Sequence, residues 1–263
     1  DVAYNLHGGT TAGFLIRAAG ATHRVGFAEY RYSALYNHLA PSTATLWREE
    51  NLHSADQQLG LFGWTGVPVT DRPASELGRS EVDEAAIAVR LETAGSLSSR
   101  PLALVHPAAA FDTKRWAAEK FAAICDHLSE RGITPILVAS AAEKDLLDQV
   151  SAKCRERPEG WSDLSLPQIT ALARRCRIFV GNDSGVAHIA TAVKLRTVVI
   201  FGSSNIEHWR PWRSVSSVVV DVGMPCAPCP GYTCGEFATP QCIERISVAQ
   251  VTLAIDSVLA GSS

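Results

Sequence analysis

The sequence predicts a doubly wound parallel α/β fold. Three observations carry that expectation. From residue 98 to 258, short apolar runs alternate with helical patterns, as in successive βαβ units. The runs are continuous, as expected of strands covered on both faces. One stretch, Ile178 to Gly202, holds a complete unit. There Ile178-Phe179-Val180 reads as a strand and Gly181-Asn182-Asp183-Ser184-Gly185 as a tight turn. Val186, Ile189, Ala190 and Val193 recur at helical spacing, and Thr197 to Phe201 reads as a second strand.

The chain of 263 residues has room for one large domain or two small ones. Its 46% hydrophobic and 19% charged content is ordinary for a soluble globular protein. A formal net charge of -3 gives no bulk electrostatic case for nucleic acid. No apolar run reaches the length of a membrane span, and no signal peptide is visible. Seven cysteines are an odd number, with Cys125, Cys154 and Cys176 scattered through helical patterns. That usage fits a reducing cytoplasm.

Asp1 to Leu6 reads as a strand already under way, with no initiator Met; the expectation is that an upstream portion exists. Residues 1–95 are read as the remainder of a first domain, residues 96–263 as a second. In the first, Thr11 to Ala19 suits a short helix, Arg24 to Phe27 a strand, and Leu35 to Leu46 a loop. His53 to Trp64 is helical, with Ser54 or Asn51 as cap. Arg72 to Ser80 is linker-like, and Val82 to Ala94 forms a helix.

In the second, Leu102 to Val105 is a strand and Trp116 to Glu130 a helix. Thr134 to Val138 is a strand and Ala142 to Cys154 a helix. Leu166 to Cys176 is a helix capped by Ser165, with Pro167 in its first turn. After the central unit come a strand, Ser216 to Val220, and a closing helix, Val248 to Leu259. Ligands are expected at the carboxyl ends of the strands.

Four features carry chemistry. Asp183-Ser184-Gly185-Val186-x-His188 places backbone N–H groups, a hydroxyl and a bare glycine at a helix start, where a diphosphate can sit. The plain alternative is Asp183 as an N-cap and His188 as a core histidine. Lys114 precedes a helix and can neutralise a leaving phosphate; alternatively it is solvated, with Trp116 as packing. Glu143, after the third strand, can accept from ribose hydroxyls or simply favour the helix dipole. Cys226-x2-Cys229-x4-Cys234-x7-Cys242 is a four-thiol cluster: a structural zinc site, two disulfides or free thiols. Trp209 and Trp212 pack a loop or face a base.

The segments HPAAAFDTKRWAAEKFAAI, LVASAAEKDLL, FVGNDSGVAHIATAV, TVVIFGSSNIEHWRPW and the cysteine cluster together resemble the family-9 glycosyltransferases, the bacterial heptosyltransferases of lipopolysaccharide. DVAYNLHGG, RVGF and the His53 helix extend the resemblance over nearly the whole chain. It implies a GT-B architecture, two Rossmann-like domains facing a cleft, here with the N-terminal one incomplete. It implies an inverting transfer of heptose from ADP-heptose to an inner-core acceptor, with no required cofactor. The partners would be an ADP-sugar and a lipid-linked or oligosaccharide acceptor, in the cytoplasm or peripherally at the inner membrane. Lys114 would contact donor phosphate, Glu143 the ribose, and Asp183 to His188 the diphosphate and sugar. Two departures stand out. Ala108-Ala109-Ala110 follows His106-Pro107 where the family commonly has hydroxyl residues. The family's glycine-rich first loop and general-base Asp would lie upstream of Asp1, so no catalytic base is assigned. Two other readings share these residues: a GT-B enzyme using another nucleotide sugar, and a nucleotide-binding module without transfer.

Overall fold

The computed structural model describes residues 1–95, 100–214, 217–229 and 231–261. It divides into two compact units, Asp1–Pro73 and Ala74–Ser263.

The first unit carries β1 (Val2–Tyr4), α1 (Thr10–Ala18), β2 (His23–Phe27), β3 (His38–Ala40), α2 (Thr43–Trp47) and α3 (Ser54–Trp64). Its three strands pair in parallel in the order β1-β2-β3. Val25, Phe27, Ala40 and Leu61 form the centre of its core. The stretch 35–46, expected to be loop, contains β3 and most of α2. β3 is three residues long and has only Ala40 buried, so it offers no legible alternation. At α3 the cap is His53, whose Nδ1 accepts from the N–H of Ala55 at 3.0 Å.

The second unit begins with α4 (Glu81–Thr93), β4 (Leu102–His106) and α5 (Ala118–Glu130). β5 (Thr134–Val138), α6 (Lys144–Lys153), β6 (Glu159–Trp161) and α7 (Leu166–Arg175) follow. Then come β7 (Cys176–Asn182), α8 (Gly185–Ala192), β8 (Arg196–Ile200), α9 (Ile206–Trp209), β9 (Ser217–Val220), α10 (Gln241–Glu244) and α11 (Val248–Ala260). The six strands form one sheet in the order β6-β5-β4-β7-β8-β9, every neighbouring pair parallel. Ser216, expected to start the last strand, lies outside the described residues, as do residues 96–99, where the sequence division was drawn. α4 falls in the second unit. Its Ile87 and Leu91 are buried in the same cluster as Leu102, Leu172 and Phe179.

The sheet is covered on both faces, as its apolar runs require. One core gathers Val105, Phe121, Ile124, Val180, Ile200 and Ile255. The other gathers Leu104, Ile136, Leu172, Phe179 and Val199. Successive residues of β4 and β7 thus divide between the two faces, as the pleat dictates. Trp116, expected inside a helix, instead precedes α5. It is buried, with Nε1 donating to the carbonyl of Ile246 at 2.9 Å. β4 has β5 on one side and β7 on the other, so the winding reverses between β4 and β7. That reversal opens a crevice at the carboxyl ends of these strands.

Candidate active site

The crevice is built by loops that buried polar groups hold in register. Asn182, the last residue of β7, is 0% exposed. Its Nδ2 donates to the carbonyl of Pro107 at 2.8 Å, and its Oδ1 accepts from the N–H of Trp116 at 3.3 Å. One side chain therefore ties the end of β7 to both ends of the loop after β4. Two glycines bring the backbones close. A Cβ on Gly181 would stand 2.8 Å from the carbonyl oxygen of His106, and one on Gly202 would stand 2.2 Å from that of Thr113. His106 is buried, and its ring Nδ1 donates to the carbonyl of Val138 at 2.7 Å. Burial lowers its pKa against the pull of that hydrogen bond, so the ring is neutral.

On this frame the structure brings Lys114 and Asp183 together. Lys114 Nζ donates to Asp183 Oδ2 at 2.8 Å. Asp183 is only 6% exposed, so the plain reading of Lys114 as a solvated side chain fails. A residue that the motif reading missed completes the arrangement. Ser204 Oγ donates to the same Asp183 Oδ2 at 2.5 Å. Nothing local marks Ser204 in the sequence: its partner is 21 positions away, in another loop. Ser203 Oγ lies 2.8 Å from Thr113 Oγ1, which donates to the carbonyl of Gly231. Lys114 and Ser204 line a crevice of about 320 Å³ together with Phe111, Ser203, Asn205 and Trp209.

Ser184 is the N-cap residue of α8, but its hydroxyl does not cap the helix. The oxygen is buried with no hydrogen-bond partner. A buried hydroxyl without a partner costs about 1–3 kcal/mol, so it marks a place where something else donates or accepts. Gly185 follows, and a Cβ built there meets nothing within 4 Å. Unlike Gly181 and Gly202, Gly185 is not required by packing. Val186 is buried in the sheet-face core. His188 is half-buried one turn on; burial lowers its pKa, while the Asp183 charge raises it and the Lys114 charge lowers it. The first amides of an eight-residue helix add unpaired donors and a positive dipole end.

Glu143 follows β5 but is engaged locally. Its Oε2 accepts from the N–H of Ser140 at 3.3 Å and from Ser140 Oγ at 2.7 Å, a reciprocal cap. Of the alanines after Pro107, Ala108 and Ala109 are buried and Ala110 is exposed. Cys226, Cys229, Cys234 and Cys242 are free thiols that line a single cavity of about 350 Å³. Burial, then the Cys229, Cys226 and Cys234 thiols, push Cys242 up, opposed by the hydrogen bond from the Ile243 N–H. Among the described residues no three His, Cys, Asp or Glu side chains are arranged to hold a metal ion. Among them, too, no helix is long and apolar enough to cross a membrane.

The family model of glycosyltransferase family 9 (heptosyltransferase) matches residues 1–239. The lipooligosaccharide heptosyltransferase 2 of Campylobacter jejuni (serotype O:6) is 31% identical over 135 residues, covering 49% of this chain and 43% of that protein. The lipopolysaccharide heptosyltransferase 3 of Escherichia coli K12 is 32% identical over 113 residues, covering 41% and 33%. The chain thus spans less than half the length of these relatives. Among solved structures, the ADP-heptose LPS heptosyltransferase II of E. coli superposes with a TM-score of 0.78 at 22% identity, over 99% of this chain and 77% of that one. A family-9 glycosyl transferase of Veillonella parvula gives 0.82 at 19%, over 100% and 74%. At these identities the likeness shows the fold, that of the GT-B enzymes with Rossmann-like units.

Proposed function

The chain belongs to glycosyltransferase family 9, and from that membership we propose that it serves as an inverting glycosyltransferase. The donor is a nucleoside diphosphate sugar, ADP-heptose, held at the carboxyl ends of β4, β5 and β7. The acceptor is an inner-core sugar of lipopolysaccharide, met in the cytoplasm at the inner membrane face. The observation that carries this reading is the partnerless, buried hydroxyl of Ser184 beside Gly185, whose missing side chain faces open space. Both features suit an oxygen-rich ligand approaching the N-terminus of α8.

In the reaction the acceptor oxygen forms a bond to the anomeric carbon as the bond from that carbon to the diphosphate oxygen breaks. The electron pair leaves with the diphosphate, and a general base takes the acceptor proton. Charge develops on the leaving phosphate. The Lys114 ammonium, the Ser184 hydroxyl and the first amides of α8 offset it, and fixed groups of this kind are worth several kcal/mol in a water-poor site. Val186 closes the apolar side of the turn, and neutral His188 offers a hydrogen bond to sugar or phosphate. Glu143 accepts from the ribose by loosening its bond to Ser140. None of these steps routes through a metal ion.

Calorimetry with ADP, UDP and GDP tests the donor class: ADP binds tightest on this reading, and equal or absent binding of all three removes it. For catalysis, Lys114→Ala is expected to lower turnover by about a hundredfold or more; unchanged turnover removes the leaving-group role. ADP binding with no transfer to any inner-core acceptor favours the nucleotide-binding module instead.

A further inference from the structure

We propose that Ser204 is a positioning residue that allows Asp183 to release Lys114 to the donor diphosphate. The inference rests on the reading of this crevice as a nucleoside diphosphate site. In the free protein Lys114 is not a waiting cation. Its ammonium is already paired with Asp183 at 2.8 Å, and Asp183 is buried. A diphosphate that takes the ammonium strips the carboxylate of its counter-ion. It also places further negative charge beside it. A buried anion left that way is costly, because its Coulomb partner and a charged hydrogen bond go together.

The Ser204 hydroxyl answers that cost. It donates to the same Oδ2 that Lys114 holds, so the oxygen that loses the ammonium keeps a donor. Ser204 is itself 9% exposed and sits in a loop held on two sides. Its neighbour Ser203 accepts from the Cys229 N–H through its carbonyl and donates its own N–H to the Thr113 carbonyl at 3.3 Å. The hydroxyl is therefore fixed before the ligand arrives. Its weight falls on the bound state, where Asp183 has fewer partners, more than on the free state. Ser204→Ala is accordingly expected to weaken diphosphate binding rather than the fold.

The test is calorimetry on the full chain with ADP and with adenosine, which lacks the diphosphate. Ser204→Ala should bind ADP about tenfold or more weakly, the scale of one hydrogen bond to a charged group, and adenosine as the native protein does. Ser204→Thr, which keeps the hydroxyl, should restore ADP affinity to within about threefold. In turnover, the donor KM should rise in Ser204→Ala with kcat much less affected. ADP affinity unchanged in Ser204→Ala overturns the inference, as does an equal loss for ADP and adenosine, or a threonine variant no better than alanine. If the native chain binds adenosine and ADP alike, or neither, the diphosphate reading itself falls and takes this inference with it.

Discussion

Asn182 is the residue whose loss should show most directly that the crevice is a built structure. Replacing it by alanine leaves two buried backbone groups without their partner: the carbonyl of Pro107, 2.8 Å from Nδ2, and the N–H of Trp116, 3.3 Å from Oδ1. Each buried, unsatisfied group costs about 1–3 kcal/mol, so Asn182→Ala is expected to lose about 2–6 kcal/mol. The longer bond to Trp116 pulls the sum toward the lower half. In a chain of this size that lowers Tm by roughly 5–20 °C. The measurement is urea unfolding followed by tryptophan fluorescence, with the midpoint shifted and the slope kept. Asn182→Asp separates the polar account from a packing one. It keeps the volume and the acceptor for Trp116, but sets a carboxyl oxygen against the Pro107 carbonyl. Only the protonated acid donates there, so the folded state holds the proton more tightly than the unfolded one. The unfolded chain then binds fewer protons, and stability falls as pH rises above the ordinary carboxylate range. Asn182→Asp should therefore lie closer to the native protein at pH 5 than at pH 8. A loss under about 1 kcal/mol in Asn182→Ala, or an Asp variant equal to native at pH 8, refutes the reasoning.

The glycines give an opposed pair. Gly202→Ala drives a methyl to 2.2 Å from the Thr113 carbonyl and should destabilise by about 1–3 kcal/mol, read by the same unfolding curve. Gly185→Ala meets nothing, so its stability should stay within about 0.5 kcal/mol of native while ADP affinity falls; a Tm drop without an affinity change reverses that assignment. Burial holds the pKa of His106 below its ordinary value. The unfolded chain therefore binds more protons near pH 6, and stability should fall as pH drops from the ordinary histidine value through the folded one. His106→Asn should flatten that slope in unfolding midpoints taken from pH 7.5 to 5, and His188, whose pKa burial also lowers, contributes to the slope in the same direction. The thiols of Cys226, Cys229, Cys234 and Cys242 are half-buried while Cys125 is buried. Alkylation read by mass spectrometry should label the cluster ahead of Cys125. Repeating it with zinc tests the tetrahedral reading, with protection of all four supporting it and unchanged labelling removing it.

How far the sequence reached depends on how each feature is encoded. The strands at the centre of the large sheet were legible because burial on both faces leaves a continuous apolar run. β4, with all five residues buried, and β7 with Ile178 to Val180 are of this kind. β6 was not legible: it pairs only with β5, at the sheet edge, and of Glu159-Gly160-Trp161 only Trp161 is buried. A strand with one buried residue has no period to read. The same holds for β3 in the smaller unit. The helix α7 was readable to within a residue because its start is written locally, with Ser165 at the cap and Pro167 in the first turn. Trp116 was misplaced because its neighbours continue the helical spacing, while its own amide is claimed by Asn182, 66 residues away.

The site shows the same division more sharply. Lys114 and Asp183 were each marked by a motif, but neither motif says that the two touch. Their meeting follows from sheet order: β4 and β7 are neighbours although β5 and β6 lie between them in the chain. Residues that end adjacent parallel strands are brought together at the same edge, which is why the reversal point collects chemistry. Ser204 and Thr113 are one step further from legibility. They act through contacts between loops, and serine or threonine in a loop carries no period and no cap. Glycine shows why spacing alone cannot separate the uses of one residue type. Gly181, Gly185 and Gly202 stand within one strand–helix–strand unit, and although the motif marks Gly185, nothing in the spacing says that Gly181 and Gly202 are held by packing. Only the built backbone distinguishes the two that admit a neighbouring carbonyl from the one that leaves room for a ligand.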